Sequence, residues 1–384
     1  MSEQDRKFRI GYVNPEYNTV RNIVDKCQRC EYVRIRSFKS MIDKIRSGLL
    51  FEKPRLPYYY YWGGLANGLR NVELLHFWNT IVIPPSRMPY ITTFEATVPR
   101  NLPVGRLMDL GLTSLSSSYC KRLIAISKRC KLLQLDFNKA NGLGEVDAKI
   151  EVLLPPQDVL VDEYALDCRE SVFKKDGVLR LIFIGYDFYR KGGAALLKAA
   201  VRLRRDFPLE LFVIGDFRHW TYTCSKSIDC AEEIDEIIAH NEWIHHFRRM
   251  PNNLALDLAK HCHVGFLPTR DDTFGYSVLE FQACGLPCIT TDVCSLTEVN
   301  NERIGWLIDI PGDAYHRADF SSPSKIQELS NIIETGLEMK LRCALSNPAQ
   351  IFEKGRLSLE NIRRNHSPSV FGQKLIKIYD EALG

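Results

Sequence analysis

Two carboxylates and two cations stand out by their company. Asp272 and Glu280 lie eight positions apart across Thr273-Phe274-Gly275-Tyr276-Ser277, and Ala283-Cys284-Gly285-Leu286-Pro287 follows. One carboxylate on a loop and one on a helix can accept hydrogen bonds from sugar hydroxyls. The amides of Phe274, Gly275 and Tyr276, at the helix start, can meet an anion. A capped helix with a solvated Glu satisfies the same pattern. The second feature is Arg190-Lys191 beside Gly192-Gly193. Cations are disfavoured at the positive end of a helix dipole. Two of them on a glycine-bearing loop that opens a helix favour a bound anion, with charge, dipole and amides acting together on a diphosphate, over a plain surface Arg-Lys pair. Gly215-Asp216 is a third turn, where a nucleotide could approach the backbone. Together the three describe a nucleoside diphosphate carrying a hydroxyl-rich group.

These residues need strand ends to hold them. Apolar runs at 264–268 and 288–291 read as short buried strands around a helix at 277–284. A strand at 179–185, a helix at 194–205 and a strand at 209–215 place the other two features likewise. Ligands of open α/β sheets bind outside the carboxyl ends of strands. In the first half, strands at 8–13, 32–35, 89–95 and 123–127 alternate with helical stretches, which predicts a mostly parallel, doubly wound sheet. An aromatic block at 58–62 lines a groove or fills a core. The polar, acidic stretch from Pro155 to Gly177 reads as an inter-domain connection near residues 165–176.

The 384 residues predict two domains. No apolar run reaches the length of a membrane span, and the polar start does not resemble a secretory signal. Twelve Cys without such a signal predict reduced thiols and a cytoplasmic setting. Cys27-Gln28-Arg29-Cys30 is a single C-x-x-C with no second pair at zinc spacing. Net charge is +4, with 24 Lys and Arg against 18 Asp and Glu up to residue 167 and 27 against 29 beyond it. The basic half suits an anionic acceptor or peripheral contact with the inner membrane face, or is a solvated surface. No basic run is interleaved with aromatics, so nucleic acid is not an expected partner. Absence of the P-loop, G-x-G-x-x-G and G-x-S-x-G patterns argues against an NTPase, a dinucleotide oxidoreductase and an α/β-hydrolase.

With these residues in place, the chain resembles glycosyltransferase family 4, the retaining GT-B enzymes (glycosyl transferases group 1). The stretch from Ile184-Gly185 to Arg190-Lys191-Gly192-Gly193 is similar to that family's diphosphate loop, and Asp272 to Glu280 to its E-x7-E signature. The likeness is dense over residues 179–310 and fainter before. It implies an α/β GT-B fold, two Rossmann-like doubly wound domains facing a central cleft. Residues 1–167 would bind the acceptor and 168–365 the nucleotide-sugar. Residues 366–384, with Phe371, Leu375, Ile378 and Tyr379 on one face, would cross back to the first domain. Arg190 and Lys191 would hold the diphosphate and act catalytically. Asp272 with Phe274, Gly275 and Tyr276 would hold the sugar, Ser277 would lie near the phosphates, Glu280 would bind the ribose, and Arg249 would lie near the base, with Gly215 counted among the donor-binding residues.

The implied reaction is metal-independent hexosyl transfer to a hydroxyl acceptor with retention. No cofactor is needed beyond the donor substrate. The acceptor, a saccharide, lipid-linked glycan or small molecule, is expected near residues 14–18, 58–64 and 95–100. Three departures stand out. The leading acid is Asp272 rather than Glu. Asn14-Pro15-Glu16-Tyr17-Asn18 replaces a Gly-rich turn. Glu95, expected to be catalytic or positional, stands where many members place a histidine. The alternatives are a non-catalytic sugar-nucleotide-binding protein and a hydrolytic or epimerising enzyme on the same fold.

Overall fold

The computed structural model describes residues 7–13, 16–35, 60–61, 72–82, 88–102 and 104–384. It divides into two compact units, one of residues 1–156 with 366–384 and one of residues 157–365. The asparagine turn at 14–15 and most of the aromatic block at 58–64 lie outside the described residues.

The strands of the first unit are β1 (Phe8–Tyr12), β2 (Cys30–Arg34), β3 (Tyr60–Tyr61), β4 (Leu74–Trp78), β5 (Ile81–Val82), β6 (Tyr90–Phe94), β7 (Cys120–Ala125) and β8 (Ile150–Val152). Six of them form a parallel sheet ordered β2-β1-β4-β6-β7-β8, and β3 pairs with β5. Every residue of β4 and β6 is buried, as expected for central strands of a parallel sheet covered on both faces. One face packs under the last helix, Pro368–Leu383. Its Phe371, Leu375, Ile378 and Tyr379 share a core with Phe8, Ile10, Leu74 and Ile124. The four recur at helical spacing, which is why a chain that has run through the second unit ends as part of the first.

The second unit repeats the plan. Its strands are β9 (Leu179–Asp187), β10 (Leu209–Asp216), β11 (Ile244–Phe247), β12 (Val264–Leu267), β13 (Cys288–Thr291) and β14 (Trp306–Ile308). Their order is β11-β10-β9-β12-β13-β14, all parallel. Chain order reverses between β9 and β12, and that switch point is where open α/β sheets bind ligands. The helix Pro323–Ser346 packs on β13 and β14 through an apolar stripe, and Pro348–Asn365 packs its own stripe on the helices Tyr276–Ala283 and Glu163–Asp176.

The connection expected at residues 165–176 is instead a helix, Glu163–Asp176, and the units part at Pro156/Gln157. Its polarity has a physical use. Arg169 is buried and donates to the carbonyls of Cys284, Gly285 and Lys260, satisfying the end of the helix Tyr276–Ala283. Asp162 caps the start and Gly177 (φ 69°) ends it. Among the described residues no helix is long and apolar enough to cross a membrane.

Candidate functional site

The site is built on the loops that follow β9 and β12. At Gly192, φ is 82°, and a Cβ there would lie 2.0 Å from the Pro268 carbonyl oxygen. Only glycine lets the two loops meet so closely. The contact is reinforced by Arg270 N–H and the Thr269 hydroxyl, which donate to the Arg190 carbonyl at 2.8 and 3.0 Å.

Arg190 and Lys191 then face Asp272. Lys191 Nζ lies 3.5 Å from Asp272 Oδ2, while Asp272 Oδ1 accepts the N–H groups of Phe274 (3.2 Å) and Gly275 (2.9 Å). Burial opposes the Asp272 charge. Lys191, Arg190 and the two N–H groups outweigh it and hold the carboxyl below the usual carboxylate range. Burial also opposes the Arg190 charge, and Asp272 and Asp187 hold that guanidinium above its ordinary range. Arg190 is locked in place. Its Nε and Nη2 donate to Asp187 Oδ2, and its Nη1 donates to the Asp271 carbonyl at 2.6 Å.

Two expectations change here. The Phe274 and Gly275 amides, expected to meet an anion, are already held by Asp272. The shorter acid folds back onto its own loop as an Asx-type cap, a geometry open to Asp two residues before an N–H. Gly215 lies within β10, and its missing Cβ serves close approach to the Gly185 carbonyl, 2.5 Å from where a Cβ would stand. Its own carbonyl is 2.9 Å from His246 Nε2.

The other expected residues fall as follows. Tyr276, Ser277 and Glu280 share the helix Tyr276–Ala283, with Glu280 a turn beyond the other two and so on their face. Glu280 is buried, 5% exposed. Ser277 is buried too, and its hydroxyl has no partner among the described residues. A buried hydroxyl of that kind at a helix start fits a ligand oxygen. Arg249 donates to the Tyr186 hydroxyl at 2.6 Å, and its guanidinium carbon stands 4.8 Å from the centre of the Tyr186 ring. That ring also meets His219, centroids 4.9 Å apart. Phe247, Arg248 and Arg249 line an open depression of about 570 Å³.

Glu95 belongs to the first unit and is tied down. Its Oε1 accepts from Asn79 Nδ2 at 3.2 Å and from Arg100, and its N–H donates to Asn79 Oδ1 at 3.1 Å.

Three contributors have little or no signal in the sequence. Asp187 fixes Arg190 and lies 3.1 Å from His219 Nδ1; its place three residues before Arg190 is the one available hint. Asp229 and Arg270 form a buried two-point ion pair at 2.7 and 2.9 Å, extended to Ser330 and the Thr223 carbonyl. Tyr222 donates to Asp271. Both contacts fasten the long segment after β10 to the loop after β12, and neither has a local sequence signature. A cavity of about 780 Å³ beside Arg169, Arg180 and His263 lies at the amino ends of β9 and β12, opposite this site.

Residues 167–319 match the family model described as Glycosyl transferases group 1. The chain is 28% identical over 152 residues to the D-inositol 3-phosphate glycosyltransferase of Pseudarthrobacter chlorophenolicus, covering 38% of this chain and 33% of that one. It is 30% identical over 140 residues to the enzyme of the same name from an Arthrobacter species, covering 35% and 31%. The matched stretch thus spans about a third of the length of these curated relatives. Among solved structures, a glycosyltransferase from Rickettsia africae superposes with a TM-score of 0.58 at 15% identity, over 98% of this chain and 99% of that one. Anabaena HepE in complex with UDP gives 0.57 at 11%, over 97% and 99%. The fold is GT-B: two Rossmann-like domains, each with a six-stranded parallel sheet.

Proposed function

We propose that this protein is a glycosyltransferase that moves a sugar from a nucleoside-diphosphate sugar to a hydroxyl acceptor. The observation that carries the reading is the meeting of Arg190, Lys191 and Asp272 at the β9/β12 switch point. Two held cations neutralise a diphosphate, and a carboxylate beside them accepts hydrogen bonds from a sugar. Similarity to the group 1 family and to a UDP-bound neighbour supports the same direction.

In the proposed reaction the bond between the anomeric carbon and the β-phosphate oxygen breaks, and a bond from the acceptor oxygen to that carbon forms. The acceptor proton passes to the departing phosphate, leaving a nucleoside diphosphate. Arg190 and Lys191 stabilise the charge that develops on the leaving group; they are preorganised by Asp187 and Asp272 and need no rearrangement to do so. Ser277 meets a phosphate oxygen, Glu280 the ribose hydroxyls, and Arg249 with Tyr186 offers a flat face for the base. We assign retention of configuration, hexosyl donors and independence of a divalent metal to this scheme, with the second unit binding donor and the first binding acceptor. The setting we assign is cytoplasmic glycan synthesis, with peripheral contact at the inner membrane face. Glu95 we assign a positioning role through Asn79 and Arg100, which hold its carboxylate in one orientation.

A thermal-shift panel of nucleotide-sugars tests the reading, since a ligand that binds only the folded state raises its stability. One donor class should stand out, and Glu280→Ala should abolish its shift. A flat panel sinks the proposal. Binding without nucleotide release across acceptors would favour the non-catalytic alternative instead.

A further inference from the structure

Far along the chain from the donor loops, the first unit carries a feature that sugar transfer does not use. Cys27 and Cys30 occupy a tight turn in which Cys30 N–H donates to the Cys27 carbonyl at 3.3 Å. Arg29 in the middle of the turn accepts from Phe8 N–H at 2.9 Å, which pins the turn to β1. The two thiols point at each other. Cys30 Sγ and Cys27 Sγ stand 2.7 Å apart. The surroundings hold them there. On the neighbouring closing helix, a Cβ at Gly372 would lie 2.6 Å from the carbonyl of Lys26, so that backbone runs directly against the residue before Cys27. Cys30 itself packs on the core that contains Leu375 and Tyr379.

We infer that Cys27 and Cys30 are a reversible dithiol–disulfide site that reacts with hydrogen peroxide. The contact between sulfurs and the partial access to solvent set the pair apart. Cys27 is 5% exposed and Cys30 partly exposed, so a small neutral oxidant suits the site. The thiol of Cys30 and then Arg29 hold the Cys27 thiol below its ordinary range, against the effects of burial and Asp380. By contrast, burial pushes Cys120 up to about 11 and Cys284 up to about 12. Cys168 and Cys343 are exposed.

The chemistry balances in two steps. The Cys27 thiolate attacks one peroxide oxygen, the O–O bond breaks, and Cys27 becomes a sulfenic acid while the second oxygen leaves as hydroxide and takes a proton. The Cys30 sulfur then attacks Cys27 Sγ, the S–O bond breaks, and water departs with the Cys30 proton. Two electrons pass from the sulfurs to peroxide, giving one disulfide and two waters. A dithiol reductant reverses the linkage by exchange.

The test treats the reduced protein with stoichiometric peroxide, alkylates it, and maps the peptides by mass. Cys27 and Cys30 should together lose alkylation and two hydrogens, and recover both with dithiothreitol. In Cys30→Ser, dimedone should trap Cys27 as the sulfenic acid. Two outcomes overturn the inference: both thiols stay alkylatable while Cys168 or Cys343 oxidises, or they are protected only by zinc that a chelator removes. The wild-type map decides the matter even if the serine variant fails to fold.

Discussion

Lys191→Met separates two jobs that the structure gives one side chain. Lys191 Nζ stands 3.5 Å from Asp272 Oδ2, with side chains 21% and 13% exposed. If Lys191 binds the diphosphate itself, the variant loses a charge-assisted hydrogen bond, about 1.5–3 kcal/mol, or a roughly 10- to 150-fold rise in nucleoside-diphosphate Kd. If Lys191 only orients Asp272, the same loss is indirect. A cycle with Asp272→Asn tells these apart. The amide keeps an oxygen for the Phe274 and Gly275 N–H groups but removes the charge that Lys191 faces. A direct role predicts that the Lys191→Met penalty persists at about its full size in the Asp272→Asn background, where the freed cation binds phosphate unopposed. Asp272→Asn alone should therefore tighten the bare nucleoside diphosphate while weakening the nucleotide-sugar, which loses its acceptor. The assay is isothermal titration with both ligands on all four proteins. A change in Kd smaller than about twofold for Lys191→Met, or a penalty that vanishes once Asp272→Asn is also present, refutes the reasoning about Lys191.

Other outcomes follow from the same geometry. Arg270→Met leaves Asp229 buried without its cation and should cost about 3–5 kcal/mol, read as a fall in Tm of about 2–4 °C per kcal/mol for a domain of this size. Gly192→Ala puts a Cβ 2.0 Å from the Pro268 carbonyl oxygen, whereas Gly177→Ala, at φ 69° with nothing within 4 Å, meets only the backbone strain. By urea titration the first should lose clearly more than the roughly 1 kcal/mol of the second. Burial pushes the His76 pKa down to about 3. The unfolded chain takes up the proton near pH 6.5 and the folded chain does not. Stability is therefore present above that pH and falls as pH drops toward the folded value, by about 1.4 kcal/mol per pH unit. His76→Gln should flatten that slope in urea titrations run at neutral and at mildly acidic pH.

Much of the frame is legible from the chain because its signals are local. Apolar runs mark the strands, and glycine with proline marks the end of the helix Tyr276–Ala283. Arg190, Lys191, Asp272 and Glu280 can be picked out because charge beside glycine at a strand end is rare without a purpose. The polarity of residues 163–176 misleads, since a helix need only bury one side and Arg169 buries a charge on carbonyls contributed from 115 and 116 positions away. Long-range partners of that kind leave no periodicity to read. Asp229 with Arg270 is the same case at a separation of 41.

The departure at position 272 then acquires a physical meaning. A glutamate, one methylene longer, would carry its carboxylate past the Phe274 and Gly275 N–H groups, whereas Asp272 turns back and caps them while still facing Lys191. The carboxylate is thereby fixed from three directions before any ligand arrives, and what remains for a sugar is an acceptor oxygen of fixed aim. The Phe274 and Gly275 N–H groups are spent on the protein's own acid, so anion binding falls mainly to Lys191, Arg190 and the Ser277 hydroxyl. That division predicts sharper discrimination among sugars than among nucleotides' phosphates, because the sugar meets a carboxylate aimed by directed N–H groups and the phosphates meet held cations, one of them a lysine point charge that any phosphate oxygen can use.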